Sequence, residues 1–183
     1  GSPHIRTKNL PAPHLLARPA VAAEQASDSL MFDSTNMTVL FQHRNGVVAR
    51  TLGGALPRMW VLGFNTVQDT GVDTNRLPRA RYSREQLKLF PIAAASLERA
   101  ITEQNVALVG SVATFSARMS EEANENPLHK PKFPDLIRIK EETGSVGLVV
   151  AHSGTVAGLL FDPAVPDLAA RMDAAANAIT SLG

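Results

Sequence analysis

Gly144-Ser-Val-Gly-Leu-Val-Val-Ala-His-Ser-Gly-Thr-Val-Ala-Gly-Leu-Leu-Phe161 contains two apolar runs, Val146 to Ala151 and Val156 to Phe161. They lie on either side of the polar turn His152-Ser153-Gly154-Thr155. Short apolar runs bounded by turn residues read as two buried strands, tightly joined. Within the turn, Gly154 permits close approach of the backbone, Ser153 and Thr155 supply hydroxyls, and His152 stands at the strand end. The same four residues also suit a plain hairpin turn that needs a glycine. The residues by themselves leave both readings open.

Moving outward, Met37 to Arg44 and Val47 to Leu52 are strand-like and flank Asn45-Gly46, the strongest short-range hairpin signal in the chain. A third strand, Met59 to Asn65, is nearly all apolar and is therefore expected to be central. Val67 to Arg81 is a long polar loop, a kind of connection that often carries function. Ser83 and Gln86 form a capping-box pair at the head of a helix carrying Leu87, Phe90, Ala94, Leu97 and Ile101, which Pro91 is expected to kink or restart. Asn105 separates it from a second helix over Val106 to Ala123. Pro127, Pro131 and Pro134 enforce an extended loop, and Asp135 to Thr143 is a short helix ended by Gly144. After the opening hairpin, Asp162 as cap and Pro163 at the first helical position predict a last helix through Ser181. Strands and helices are segregated along the chain. That argues for an α+β class, an antiparallel sheet with helices packed on one face.

Composition sets the outer bounds. A chain of 183 residues, 44% hydrophobic and 19% charged, suits one domain with a proper core, or a domain plus an appendage. Its 18 basic and 17 acidic residues leave a formal net charge of +1, so no nucleic-acid partner is expected. Arg76, Arg79, Arg81 and Arg84 cluster as a solvated loop or an anion site. No segment approaches the roughly 20 apolar residues needed to cross a bilayer, so no membrane partner is expected. The chain has no cysteine and no signal-peptide core, which makes a cytoplasmic location the expectation. Its histidines, His4, His14, His43, His129 and His152, show no zinc-like spacing, and no protein-held metal is expected. Residues 1–24 are proline-rich and read as an irregular arm or tag remnant, with residues 25–183 as the domain proper.

Ala151-His-Ser-Gly-Thr-Val-Ala-Gly158 resembles the third, glycine-rich motif of the GHMP small-molecule kinase superfamily. In its His-Ser-Gly-Thr form it is most similar to the bacterial branch that phosphorylates L-threonine for cobalamin side-chain synthesis and occurs in propanediol-utilisation clusters. Ser27-Asp-Ser-Leu-Met-Phe32 is similar to that branch's acidic motif. Trp60 to Thr66 with Val72-Asp-Thr74 resembles its central strand and following loop, and Ala113 to Ala117 with Lys130-Pro131 its helix and proline loop. These segments occur in the family's order and span Gln25 to the last helix. The Pro-x-x-x-Gly-Leu-Gly-Ser-Ser-Ala phosphate loop of the family has no counterpart in this sequence. Gln25-Ala26 stands where the family favours Glu-Pro.

The resemblance implies a ferredoxin-like C-terminal domain of an ATP- and Mg²⁺-dependent kinase acting on a hydroxy amino acid. The chain alone would then have little or no activity. Phosphoryl transfer requires a positioned acceptor, neutralised phosphates and often a nearby carboxylate. By resemblance Asp28 is that carboxylate; Asp33 competes with it, and Asp28 also suits a turn cap. Ser29, Asp73, Thr74, His152, Ser153, Gly154 and Thr155 would bind substrate, the turn contributing hydroxyls and backbone N–H groups. Ser116 reads as close packing on a small-residue helix face, and Lys130 and Lys132 as surface lysines or phosphate contacts. The rival class is a non-catalytic ligand-binding or self-assembling module of the same fold, its exposed apolar surface covered by self-association, a homodimer for instance.

Overall fold

A computed structural model describes residues 37–43, 45–66, 80–123, 132–151 and 154–182. The chain divides into two units between Ala55 and Leu56. The first contains the antiparallel hairpin of β1 (Thr38–Gln42) and β2 (Val47–Gly53). Its turn forms because Gly46 takes a left-handed φ of 64°, which lets the Asn45 and Gly46 N–H groups both donate to the Gln42 carbonyl.

The second unit runs β3 (Trp60–Asn65), α1 (Arg84–Thr102), α2 (Val106–Ala123), α3 (Phe133–Glu142), β4 (Gly147–Val150), β5 (Val156–Phe161) and α4 (Leu168–Ser181). Its strands form one antiparallel sheet in the order β3-β5-β4. The α+β class is as expected and consistent with a ferredoxin-like domain, with the described strands split between two small sheets. The register sets Leu62, Leu159 and Leu148 in one row and Phe64, Ala157 and Val150 in the next. These rows pack with Ala117 of α2, Phe133, Leu136 and Ile139 of α3, and Ala175 of α4. Alternate strand residues therefore build the core against the helices.

Local signals explain most helix boundaries. Ser83 Oγ accepts from the Gln86 N–H at 3.1 Å while Gln86 Oε1 accepts from the Ser83 N–H at 2.8 Å, closing the capping box. Pro91 neither ends nor restarts α1. It is exposed, as is Leu87, so the carbonyl it leaves without an N–H is open to water. At the α1–α2 junction Gln104 takes a φ of 51° and Asn105 Oδ1 caps α2 by accepting from the Leu108 N–H at 2.9 Å. Gly144, with a φ of 68°, ends α3. Ser145, buried just beyond it, points its hydroxyl at the carbonyls of Gly147 and Leu160, both 2.9 Å away.

Two expectations need correction. Asp162 does not cap the last helix: its Oδ1 accepts from the Ala164 N–H at 2.8 Å within a turn, and α4 starts only at Leu168. Pro166 is the cause, since it lacks the N–H that a helix begun at Pro163 would use there, and it disfavours helical backbone at Val165. Nor is β3 central. Among the described residues it lies at the edge of its sheet, with Trp60 56% and Val61 53% exposed, and the central strand is β5, whose residues Ala157 to Phe161 are all buried.

The two edges of this sheet differ. The Thr66 N–H bonds the Thr155 carbonyl, and the register carries that alternation back through Phe64 and Leu62. Val61, Gly63 and Asn65 thus turn their backbone groups outward, with no partner among the described residues. On the β4 edge, the Leu148 N–H donates to Thr114 Oγ1 of α2 at 3.0 Å, and that hydroxyl donates to the Gly110 carbonyl at 2.8 Å. Gly110 and Gly147 let helix and strand meet there: a Cβ on Gly110 would collide with the Val146 carbonyl, and one on Gly147 with the Gly110 backbone.

Candidate functional site

The turn after β4 is built from three strand ends. β4 delivers Ala151, whose N–H donates to the Val156 carbonyl at 2.8 Å, closing the last rung of the hairpin. Gly154 then takes a left-handed φ of 77°, a conformation that disfavours side chains, and its N–H donates back to the Ala151 carbonyl at 2.8 Å. Gly154 is buried and Thr155 half-buried. From the neighbouring strand end, Thr66 Oγ1 donates to the Gly154 carbonyl at 2.6 Å and the Thr66 N–H to the Thr155 carbonyl at 2.9 Å. One residue of the β3 end thereby holds two successive carbonyls of the turn.

The turn is therefore more than a hairpin that needed a glycine, because it is tied to a third strand. Its capacity for an anion is narrower than the sequence implied. The Gly154 N–H is committed to Ala151, so Gly154 does not offer it to a phosphate. Of the sequence-derived site residues, Gly154 and Thr155 lie together here. Asp28, Ser29, Asp73, Thr74, His152 and Ser153 lie outside the described residues, as do Asp33, Lys130, Arg76 and Arg79. Thr66 was not singled out by sequence reasoning. Its only local signal is a hydroxyl at the end of an apolar strand, and its partner lies 88 residues away.

Other candidates resolve differently. Lys132 stands at the N-terminus of α3 and its ammonium donates to the Leu182 carbonyl at the end of α4, a tie between helix ends. Ser116 is exposed, which corrects its reading as a close-packing residue. Arg81 and Arg84 are exposed. No helix N-terminus among the described residues forms a phosphate cradle. Ser83 and Asn105 occupy the first turns of α1 and α2 with their own side chains, and α3 and α4 follow Lys132 and Asp167 without a glycine-rich loop. The described residues thus do not fit the phosphate-binding role.

Two guanidinium groups titrate above their ordinary range: Arg99 through its hydrogen bond to Glu103, and Arg138 through its bonds to Glu142 and Asp135. All three ion pairs are exposed, the first at the C-terminal end of α1 and the other two within α3. Among the described residues no three or more His, Asp or Glu side chains group to hold a metal, and no helix is long and apolar enough to cross a membrane.

No protein-family model and no solved structure matches the chain. Over 154 residues it is 31% identical to L-threonine kinase of Salmonella typhimurium, an overlap of 84% of this chain and 49% of that protein. Over 156 residues it is 31% identical to L-threonine kinase of Citrobacter freundii, covering 81% and 51% respectively. The likeness over most of the chain supports a kinase relationship. The chain spans about half the length of the curated relatives it matches.

Proposed function

We propose that the chain is part of an ATP-dependent small-molecule kinase of the GHMP type, acting on a hydroxyl of an amino acid such as L-threonine in the cytoplasm. The observation that carries this reading is the 31% identity to L-threonine kinases over 84% of the chain. The hydroxyl-bearing turn, held by Thr66, supports it, since an acceptor must be positioned against a fixed frame. In this reading the turn residues His152, Ser153, Gly154 and Thr155, with Ser29, Asp73 and Thr74, hold the acceptor. Asp28 supplies the carboxylate that receives the proton of the attacking hydroxyl. ATP with Mg²⁺ supplies the phosphoryl group, and its phosphate-binding loop is not among the residues of this sequence.

Two measurements test the proposal. Isothermal titration with L-threonine is expected to show binding, and with ATP none. Absence of threonine binding overturns the acceptor assignment. Steady-state assay of the 183-residue chain is expected to give little or no ATP turnover. A rate of about 1–100 per second, ordinary for kinases, would contradict the assignment of the nucleotide site elsewhere.

A second reading, a self-assembling module without catalysis, draws on the outer edge of β3, unpartnered among the described residues, beside exposed Trp60 and Val61. It expects a dimer mass in light scattering together with no binding of threonine or ATP. A monomer that binds threonine rejects it.

A further inference from the structure

We propose that Thr66 is the positioning residue of the turn, and that its hydroxyl sets the chain's affinity for a hydroxy amino acid. The ligand half of this proposal rests on the reading above; the structural half does not. The observation is a pair of bonds from one residue to two adjacent peptide groups. The Thr66 hydroxyl donates to the Gly154 carbonyl at 2.6 Å, and the Thr66 N–H to the Thr155 carbonyl at 2.9 Å.

The two bonds do different work. The N–H bond continues the β3–β5 ladder and would form with any residue except proline at position 66. The hydroxyl bond lies beyond the ladder and depends on the side chain. It fixes the plane of the peptide joining Gly154 to Thr155, the point where the chain leaves a left-handed turn and enters β5. Gly154 is the residue best able to rotate that plane, because it has no side chain to restrict φ and ψ. The hydroxyl thus removes freedom at the most permissive position of the turn, and Thr155 inherits the resulting orientation.

Alternative explanations for the threonine predict other behaviour. If it served only β propensity, valine would replace it without loss. If only the ladder mattered, any strand-forming residue would do. The positioning role requires the hydroxyl, so Thr66→Val should fail and Thr66→Ser should succeed. Valine keeps the branched shape and removes the donor.

The test uses the 183-residue chain and its Thr66→Val and Thr66→Ser variants, with two readouts. In amide hydrogen exchange, Thr66→Val is expected to speed exchange at Thr155, whose N–H belongs to the peptide that the hydroxyl holds, about fivefold, the value of one net hydrogen bond, with Leu159 in mid-strand unchanged. In titration with L-threonine, Thr66→Val is expected to weaken binding by about the same factor, and Thr66→Ser to stay within about twofold of wild type in both readouts. Unchanged exchange at Thr155 in Thr66→Val overturns the proposal. Faster exchange with unaltered threonine affinity overturns its ligand half. Loss of protection at Leu159 in both variants also overturns it, since Thr66 would then merely support the sheet. A wild-type chain that binds no L-threonine refutes the acceptor reading and the ligand half together, while the exchange readout still decides whether the hydroxyl holds the turn.

Discussion

The β4 and β3 edges of the three-stranded sheet solve the same problem in opposite ways. At β4, helix α2 lies so close that two glycines face each other, and a threonine hydroxyl receives the strand's outward N–H. At β3, Val61, Gly63 and Asn65 present their backbone groups outward, and Gly63 has open space where a side chain would stand. An edge satisfied from within tolerates no change of volume, whereas an open edge tolerates many. Sequence alone shows little of this contrast, because both strands are short, apolar and glycine-containing.

Three substitutions probe the contrast, in falling order of effect. Gly110→Ala is expected to be the most damaging. Alanine favours a helix by about 1 kcal/mol, yet its methyl group would drive into the Val146 carbonyl. A net loss of about 3 kcal/mol or more in denaturant unfolding is expected from such overpacking against backbone. A neutral result would mean that helix and strand separate freely, and the covered edge would lose its meaning. Next, Thr114→Val leaves the N–H of fully buried Leu148 without an acceptor. The expected loss is about 1–3 kcal/mol, with Thr114→Ser close to wild type. Smallest is Gly63→Val on the open edge, where nothing lies within 4 Å of the new Cβ. Its unfolding free energy should stay within about 0.5 kcal/mol of wild type. A large loss there would show that the face of β3 turned away from the core is covered.

Legibility followed the range of each interaction. Asn45-Gly46, the Ser83–Gln86 capping box and Gly144 were readable because each signal and its partner lie within a few residues. Gly154 was readable too, since a Ser-Gly turn between apolar runs calls for a left-handed residue. The start of α4 was misread because Asp162-Pro163 is a genuine turn signal, and Pro166 three residues later overrides its extension into a helix. The place of β3 was misread because apolar content measures burial poorly in a six-residue strand: Leu62 and Phe64 pack inward while Trp60 and Val61 stay exposed. The anchoring of the turn by Thr66 could not be read at all. No local pattern announces a partner 88 positions away. Of the candidate site, Gly154 and Thr155 were identified as types and are now tied to a frame, while Asp28, Ser29, Asp73, Thr74, His152 and Ser153 stay with the proposal.

The bond from Leu148 to Thr114 spans 34 positions, and through it a helix side chain completes the strand ladder. It bears on the order of folding. The β4–β5 hairpin pairs by local contacts, but the outward N–H of Leu148 stays wet until α2 has docked with Gly110 against Gly147. The hairpin and α2 should therefore gain protection together, as one cooperative unit and not as a hairpin that waits for its helix.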